Sequence, residues 1–218
     1  MSGRAETGGA GPRLAVSGRA GSSAAGPRLA PLLRSEWDEE VEDALRTGMG
    51  GIPRDPVPNV LGTLVRHPPL AGPFLAYNTM LLRAGTLDPR VRELLILRVA
   101  WRTRAPYEWL QHVRMAKRYG VTDDEIVAVG AGGEAGTWGA LEADLLTAAD
   151  QLIDTYRIDD ATWSRLAGRL DERQLLETVF VVGTYTALAM AFNSFGLELD
   201  ADLDPSSAPA MPPSAGTE

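Results

Sequence analysis

The stretch Asp88-Pro89-Arg90-Val91-Arg92-Glu93-Leu94-Leu95-Ile96-Leu97-Arg98-Val99-Ala100-Trp101 decides the fold class. An Asp side chain accepts the exposed amides of a helix's first turn, and proline has no amide to leave unpaired there, so Asp88-Pro89 predicts a helix start. Val91, Leu94, Leu95, Val99 and Trp101 then spread over a broad apolar face, as in a buried helix. The same grammar repeats outward in both directions. Upstream, the predicted helices are Ser35 to Thr47, capped by Ser35 and ended by Gly48 and Gly50-Gly51; Asn59 to Arg66, capped by Asn59; and Pro68-Pro69 to Arg83. Downstream, Pro106 opens Tyr107 to Tyr119, which Gly120 closes, and Thr122 with Glu125 makes a capping box for a short helix through Val129. A Gly-rich loop fills 130–139, and Leu141 to Tyr156, Thr162 to Leu170 and Glu172 to about Phe195 complete the series. No segment alternates as a strand does, so the expected fold is all-α, in a single helical domain.

The chain has 218 residues, a net charge of -8 and no cysteine. One domain over residues 35–203 is expected, flanked by disordered tails at 1–34 and 204–218, because the Gly, Ala, Ser, Pro and Arg of the tails bury too little to offset ordering entropy. The acidic balance argues against nucleic acid and against an anionic membrane surface as partners. No run of about 18 apolar residues exists to span a bilayer, so a membrane-spanning role is not expected. The first residues lack the basic flank and apolar core of a secretory signal, and the cytoplasm is the expected compartment. Lack of cysteine removes disulfides, thiolate metal sites and thiol nucleophiles together.

From Val179 to Ala191 the last helix is nearly all apolar or small, with Gly183, Ala187, Ala189 and Ala191 allowing close approach of neighbours. Such a helix is expected to be covered on most sides, and a homo-oligomer is the expected way to cover it.

Acid/base candidates are few, since His67 and His112 are the only histidines. His67, ahead of Pro68-Pro69, reads as a surface or junction residue. His112 follows Glu108 by four residues, so the two share one helix face; the pairing reads either as an ordinary i,i+4 contact or as an oriented imidazole. Glu93 reads alone as a first-turn acid. No ligand cluster suggests a metal, and no cofactor is expected. Tyr77, Asn78, Trp101 and Tyr107 are candidate pocket residues, although large aromatics at helical spacing are also core residues. Arg98 and Arg102 read either as anchors for a substrate carboxylate or as paired surface arginines.

Three joined motifs add a resemblance. Leu87-Asp88-Pro89-Arg90-Val91-Arg92-Glu93-Leu94 through Ala100, then Tyr107-Glu108-Trp109-Leu110-Gln111-His112, then Gly120-Val121-Thr122-Asp123-Asp124-Glu125-Ile126, together resemble carboxymuconolactone decarboxylase-like and alkylhydroperoxidase-D-like proteins. Leu176-Glu177-Thr178-Val179 onward, closing at Gly196-Leu197-Glu198-Leu199-Asp200, is similar to that superfamily's last helix. In the peroxidase branch a glutamate precedes a Cys-x-x-Cys pair and a histidine. Glu93 and His112 match the glutamate and histidine, while the cysteine positions fall on Ala105 and Glu108, so a peroxiredoxin label would not describe this chain's chemistry. The decarboxylase branch needs neither cysteine nor cofactor. The resemblance therefore implies a lyase-like acid/base enzyme acting on a small carboxylated or lactone-type molecule, with Glu93, Glu108 and His112 as catalytic residues and Glu108 orienting His112. A non-catalytic, oligomeric binding protein on the same scaffold is the alternative, because fold does not fix function.

Overall fold

The computed structural model describes residues 26–211. Among them are nine α-helices: α1 Glu39–Met49, α2 Asn59–Leu64, α3 Pro68–Arg83, α4 Pro89–Thr103, α5 Pro106–Arg118, α6 Asp123–Val129, α7 Ala140–Thr155, α8 Asp160–Ala167 and α9 Glu172–Phe195. No strand occurs among the described residues. The fold is all-α.

α4 is the central element and packs against α9, α5 and α7. Its run from Arg92 to Ala100 is buried on every side, which explains why its apolar residues do not form a stripe. Leu94 to Leu97 meet Trp109, Val113, Leu145, Leu146, Val181, Val182 and Leu188 in one large core. A smaller core, made of Val41, Leu45, Leu61, Val65, Ala71 and Leu75, joins α1, α2 and α3.

The expected caps hold where the cap residue directly precedes a well-patterned helix. Asp88 accepts from the amides of Arg90 and Val91, and Thr122 and Glu125 form the capping box of α6. The first helix differs. Residues 34–36 form a 3-10 turn, and Asp38 rather than Ser35 caps α1, accepting from Val41 N at 3.0 Å. Gly48 does not end α1 but lies inside it, because α3 comes so near that a Cβ there would meet Leu75 Cβ at 2.6 Å and Gly72 O at 2.8 Å. Gly50, at φ 74°, is the true left-handed terminator. Asn59 likewise caps nothing: its amide nitrogens bond to Asp200, Glu198 and Leu199 on the far side of the chain.

The inner ends of both expected tails are tied to the domain, which moves the boundaries drawn at 35 and 203 outward. Arg28 N donates to Phe195 O, Leu32 N to Gly62 O, and Arg66 Nε to Ala30 O. At the other end the indole of Trp109 donates to Pro209 O. Backbone carbonyls supply this order, so composition did not reveal it. Residues 1–25 and 212–218 of the expected tails lie outside the described residues.

α9 requires a correction too. An 18-residue window within it has mean hydropathy 1.6, so by length and composition it is apolar enough to cross a bilayer. Glycine, threonine and tyrosine interrupt the run to the eye without lowering its mean enough. Half of that window is buried inside the fold, against helices that include α4, α7, α3 and α8. Leu176, Phe180, Gly183, Ala187 and Met190 stay exposed.

Candidate active site

Glu93 enters the core from the second turn of α4 and is fully buried. It has two basic partners. Glu93 Oε2 bonds His112 Nδ1 at 2.7 Å across the α4–α5 interface, and Oε1 accepts from Arg92 Nη2 at 3.1 Å. Burial works to raise its pKa, but His112 and Arg92 together outweigh that and hold the carboxyl below its ordinary range. Arg92 is itself buried, with its guanidinium 5.6 Å from the centre of the Tyr119 ring. An ionised Glu93 obliges His112 to donate from Nδ1. In the neutral imidazole that leaves a lone pair on Nε2, which has no partner among the described residues.

Glu108 behaves in the opposite way. It is 2% exposed, and neither carboxyl oxygen has a hydrogen-bond partner. Burial alone pushes its pKa well above the ordinary carboxylate value, which favours the proton-bearing form. The expected role for Glu108 as the orienter of His112 is therefore corrected: Glu93, nineteen residues upstream, makes that bond. Helix spacing permits an i,i+4 contact but does not compel it, and the carboxylate from α4 was the better partner because Arg92 already favours its charge.

Tyr185, on α9, was not anticipated. Its ring stands edge-on to His112, with centroids 4.9 Å apart and planes at 87°. Its hydroxyl pKa is raised, first by burial and then by the charge of Glu93 and that of Glu108 once ionised, and the Asn78 side chain beside it opposes the shift. Its signal in the sequence was the one hydroxylated ring in a helix whose other aromatic residues are Phe180, Phe192 and Phe195.

The four expected pocket residues part company. Asn78 stays with the site: it lies beside Tyr185, its side-chain oxygen is buried without a partner, and it also lines an apolar cavity of about 160 Å³ walled by Leu64, Phe74, Leu82 and Leu188. Tyr77 is on the same helix, but its hydroxyl pairs with Thr184 at 2.8 Å and its ring lies against Phe180. Trp101 packs on Trp109 and under the turn at Gly130. Tyr107 donates to Asp200 at 2.8 Å, and burial with that carboxylate raises its pKa. Those last two are structural. Arg98 and Arg102 are committed as well. Arg98 makes a two-bond fork with Asp150 at 2.7 and 2.8 Å and donates to the carbonyls of Val129 and Gly130, while Arg102 bridges Asp150 and Asp154. Neither is free to receive a substrate carboxylate. His67 is exposed at the start of α3, with no capping bond from its side chain. Among the described residues no group of three or more His, Asp or Glu side chains forms a metal site.

Residues 68–151 match the model of the Carboxymuconolactone decarboxylase family. That segment holds Glu93, Glu108 and His112, the helical fold is similar to that of an alkylhydroperoxidase AhpD core, and the chain has no cysteine. Among solved structures, a variant of the debrominase Bmp8 in complex with 2,3,4-tribromopyrrole is similar, with TM-score 0.65 and 17% identity over 82% of this chain and 94% of that one. An AhpD-core, uncharacterized peroxidase-related protein from Ralstonia eutropha JMP134 matches with TM-score 0.65 and 15% identity over 80% and 94%. A peroxidase-related protein from Silicibacter sp. TM1040 gives TM-score 0.63 and 16% identity over 81% and 91%. At such identities these likenesses concern the fold. A comparison with curated proteins found no match.

Proposed function

We propose that the protein is a cofactor-independent acid/base enzyme that moves a proton on a small ring compound of lactone or related carbonyl type. One observation carries this reading: the same buried cluster holds an ionised Glu93 paired with His112 and a proton-bearing Glu108 that nothing in the fold uses. Pairs of titratable groups pushed in opposite directions are what acid/base chemistry at neutral pH requires. In the proposed step His112 Nε2 takes a proton from the carbon beside the carbonyl. Glu93 offsets the imidazolium charge that forms, and the Glu108 carboxyl donates its proton to the opposite side of the substrate.

The cavity of about 160 Å³ that adjoins the cluster at Asn78, though Glu93, Glu108 and His112 do not line it, has the size for a single ring, since an apolar cavity of about 150 Å³ holds benzene. Enolisation or isomerisation fits this site better than decarboxylation, because Arg92, Arg98 and Arg102 are all engaged by acidic side chains of the fold. The chain's lack of cysteine also separates this reading from thiol-based peroxide reduction. The debrominase structure, with its bound tribromopyrrole, is a precedent for a small ring on this fold and supports nothing finer.

The test is exchange of the carbon-bound proton for deuterium, followed by NMR over a panel of lactones and cyclic ketones. Wild type should catalyse exchange of at least one of them, and His112→Ala and Glu93→Gln should slow it by about 100-fold or more, as expected for loss of an acid/base group. Exchange undiminished in His112→Ala, or absent with every compound in wild type, would overturn the proposal.

A further inference from the structure

The outer face of α9 is an apolar surface left uncovered by the described residues. Leu176, Phe180 and Met190 are 59%, 52% and 63% exposed, and Gly183 and Ala187 lie between them on the same face. The spacing of 4, 3, 4 and 3 residues keeps all five in one straight stripe. Beside it runs an apolar groove of about 510 Å³, floored by Gly183, Thr186 and Ala187, walled by Leu152 and Ile153 of α7, and rimmed by Tyr156, which is 87% exposed.

We propose that this face is covered by the α9 of a second copy of the same chain, running antiparallel across a two-fold axis at Gly183. The argument is self-complementarity. Large side chains, Leu176 and Phe180, stand on the N-terminal side of Gly183, and the groove, which begins at Val179 and Val182, runs past Gly183 to Thr186, Ala187 and Asn193 on the C-terminal side. An axis through Gly183 sets each residue opposite the one equally far beyond it: Phe180 faces Thr186 in the groove of the second copy, and Leu176 faces Met190. Knob and hole thus meet twice, as an isologous interface requires. At the axis glycine meets glycine, and a Cβ at 183 would touch nothing within its own chain, so the closest approach is unobstructed.

Charge and size agree. From Gln174 to Leu197 the only charged residue is Glu177, and it is already bonded to the amides of Thr86 and Leu87, so pairing would strand no free charge. Antiparallel helices also oppose their dipoles. α9 has 24 residues, about 36 Å of helix. With α7 alongside, the face is about 20 Å wide. The resulting area, about 700 Å², is close to the ~800 Å² per partner of a standard interface.

The absence of native cysteine makes the test clean. Analytical ultracentrifugation of wild type in the micromolar range should show a dimer. Gly183→Cys should oxidise to a disulfide-linked dimer; Leu176→Cys alone should not, whereas Leu176→Cys mixed with Met190→Cys should. Phe180→Arg, with its helical circular dichroism intact, should weaken association by about 30-fold or more. A monomeric wild type overturns the proposal, including one that instead sediments with phospholipid vesicles. So does a dimer that cross-links through Leu176→Cys alone, because that would place the helices parallel.

Discussion

Two clusters of charged side chains sit on opposite stretches of α4, and they differ in how completely they are paired. At the C-terminal end, Arg98, Arg102, Asp150 and Asp154 satisfy one another, and the carbonyls of Val129 and Gly130 accept from Arg98 Nη1. Nearer the N-terminal end, Glu93 and His112 are paired, but Glu108 is left with two unpartnered oxygens and Asn78 with one. Buried polar atoms are seldom left unpaired without a reason. A saturated cluster holds helices together; an unsaturated one keeps capacity for something else. By that criterion the Arg98 cluster is scaffold and the Glu93, Glu108 and His112 cluster is the reactive part.

The contrast breaks most visibly if either cluster responds to mutation like the other. Asp150→Ala strips both arginines of their shared carboxylate and leaves Arg98 buried. It should cost about 3 kcal/mol, the low end for breaking a buried pair, because the Asp150 side chain is 24% exposed. Chemical denaturation measures this, and a change below about 1 kcal/mol would place the cluster with ordinary surface pairs.

Glu108→Met should act with the opposite sign. Folded Glu108 keeps its proton while the unfolded chain ionises it normally, so wild type loses stability as pH rises above the ordinary carboxylate pKa. The methionine variant lacks that loss. Its advantage should grow by up to about 1.4 kcal/mol per pH unit from the ordinary carboxylate pKa up to the raised pKa of the folded group, and denaturation at several pH values reads the slope. Glu93 should show the reverse dependence, since its depressed pKa contributes stability above the ordinary carboxylate pKa that is lost as acid titrates the folded carboxyl. A Glu108→Met advantage that did not change with pH would mean the carboxyl is ionised in the fold.

How much of this was legible beforehand follows from which interactions are local. Asp88-Pro89 and the box of Thr122 with Glu125 are closed within one turn, so the pattern alone located their helices. Ser35 and Gly48 misled because their surroundings lie elsewhere: Asp38 competes for the same helix start, and Gly48 answers to the close approach of α3. The site divides in the same way. Resemblance picked out Glu93, Glu108 and His112, but a single-helix reading could offer only Glu108 as the partner of His112. The true bond crosses from α4, and its geometry depends on how α4 and α5 pack. Tyr185 escaped for the same reason, as its role exists only where α9 meets α5.

The smallest expected effect lies at the outer edge of the saturated cluster. Arg102 bridges Asp150 and Asp154, but its own side chain is 27% exposed and Asp154's is 55% exposed, so water screens that arm. Arg102→Ala should cost only about 0.5–1 kcal/mol, and most of that should disappear in high salt, because Arg98 continues to hold Asp150 through both carboxylate oxygens. Asp150→Ala, by contrast, should keep most of its cost at the same salt, since burial excludes the ions that screen the outer arm. Equal salt sensitivity in the two variants would show that Arg98 is reached by solvent, and the distinction between a sealed scaffold cluster and an open reactive one would then have to rest on Glu108 alone.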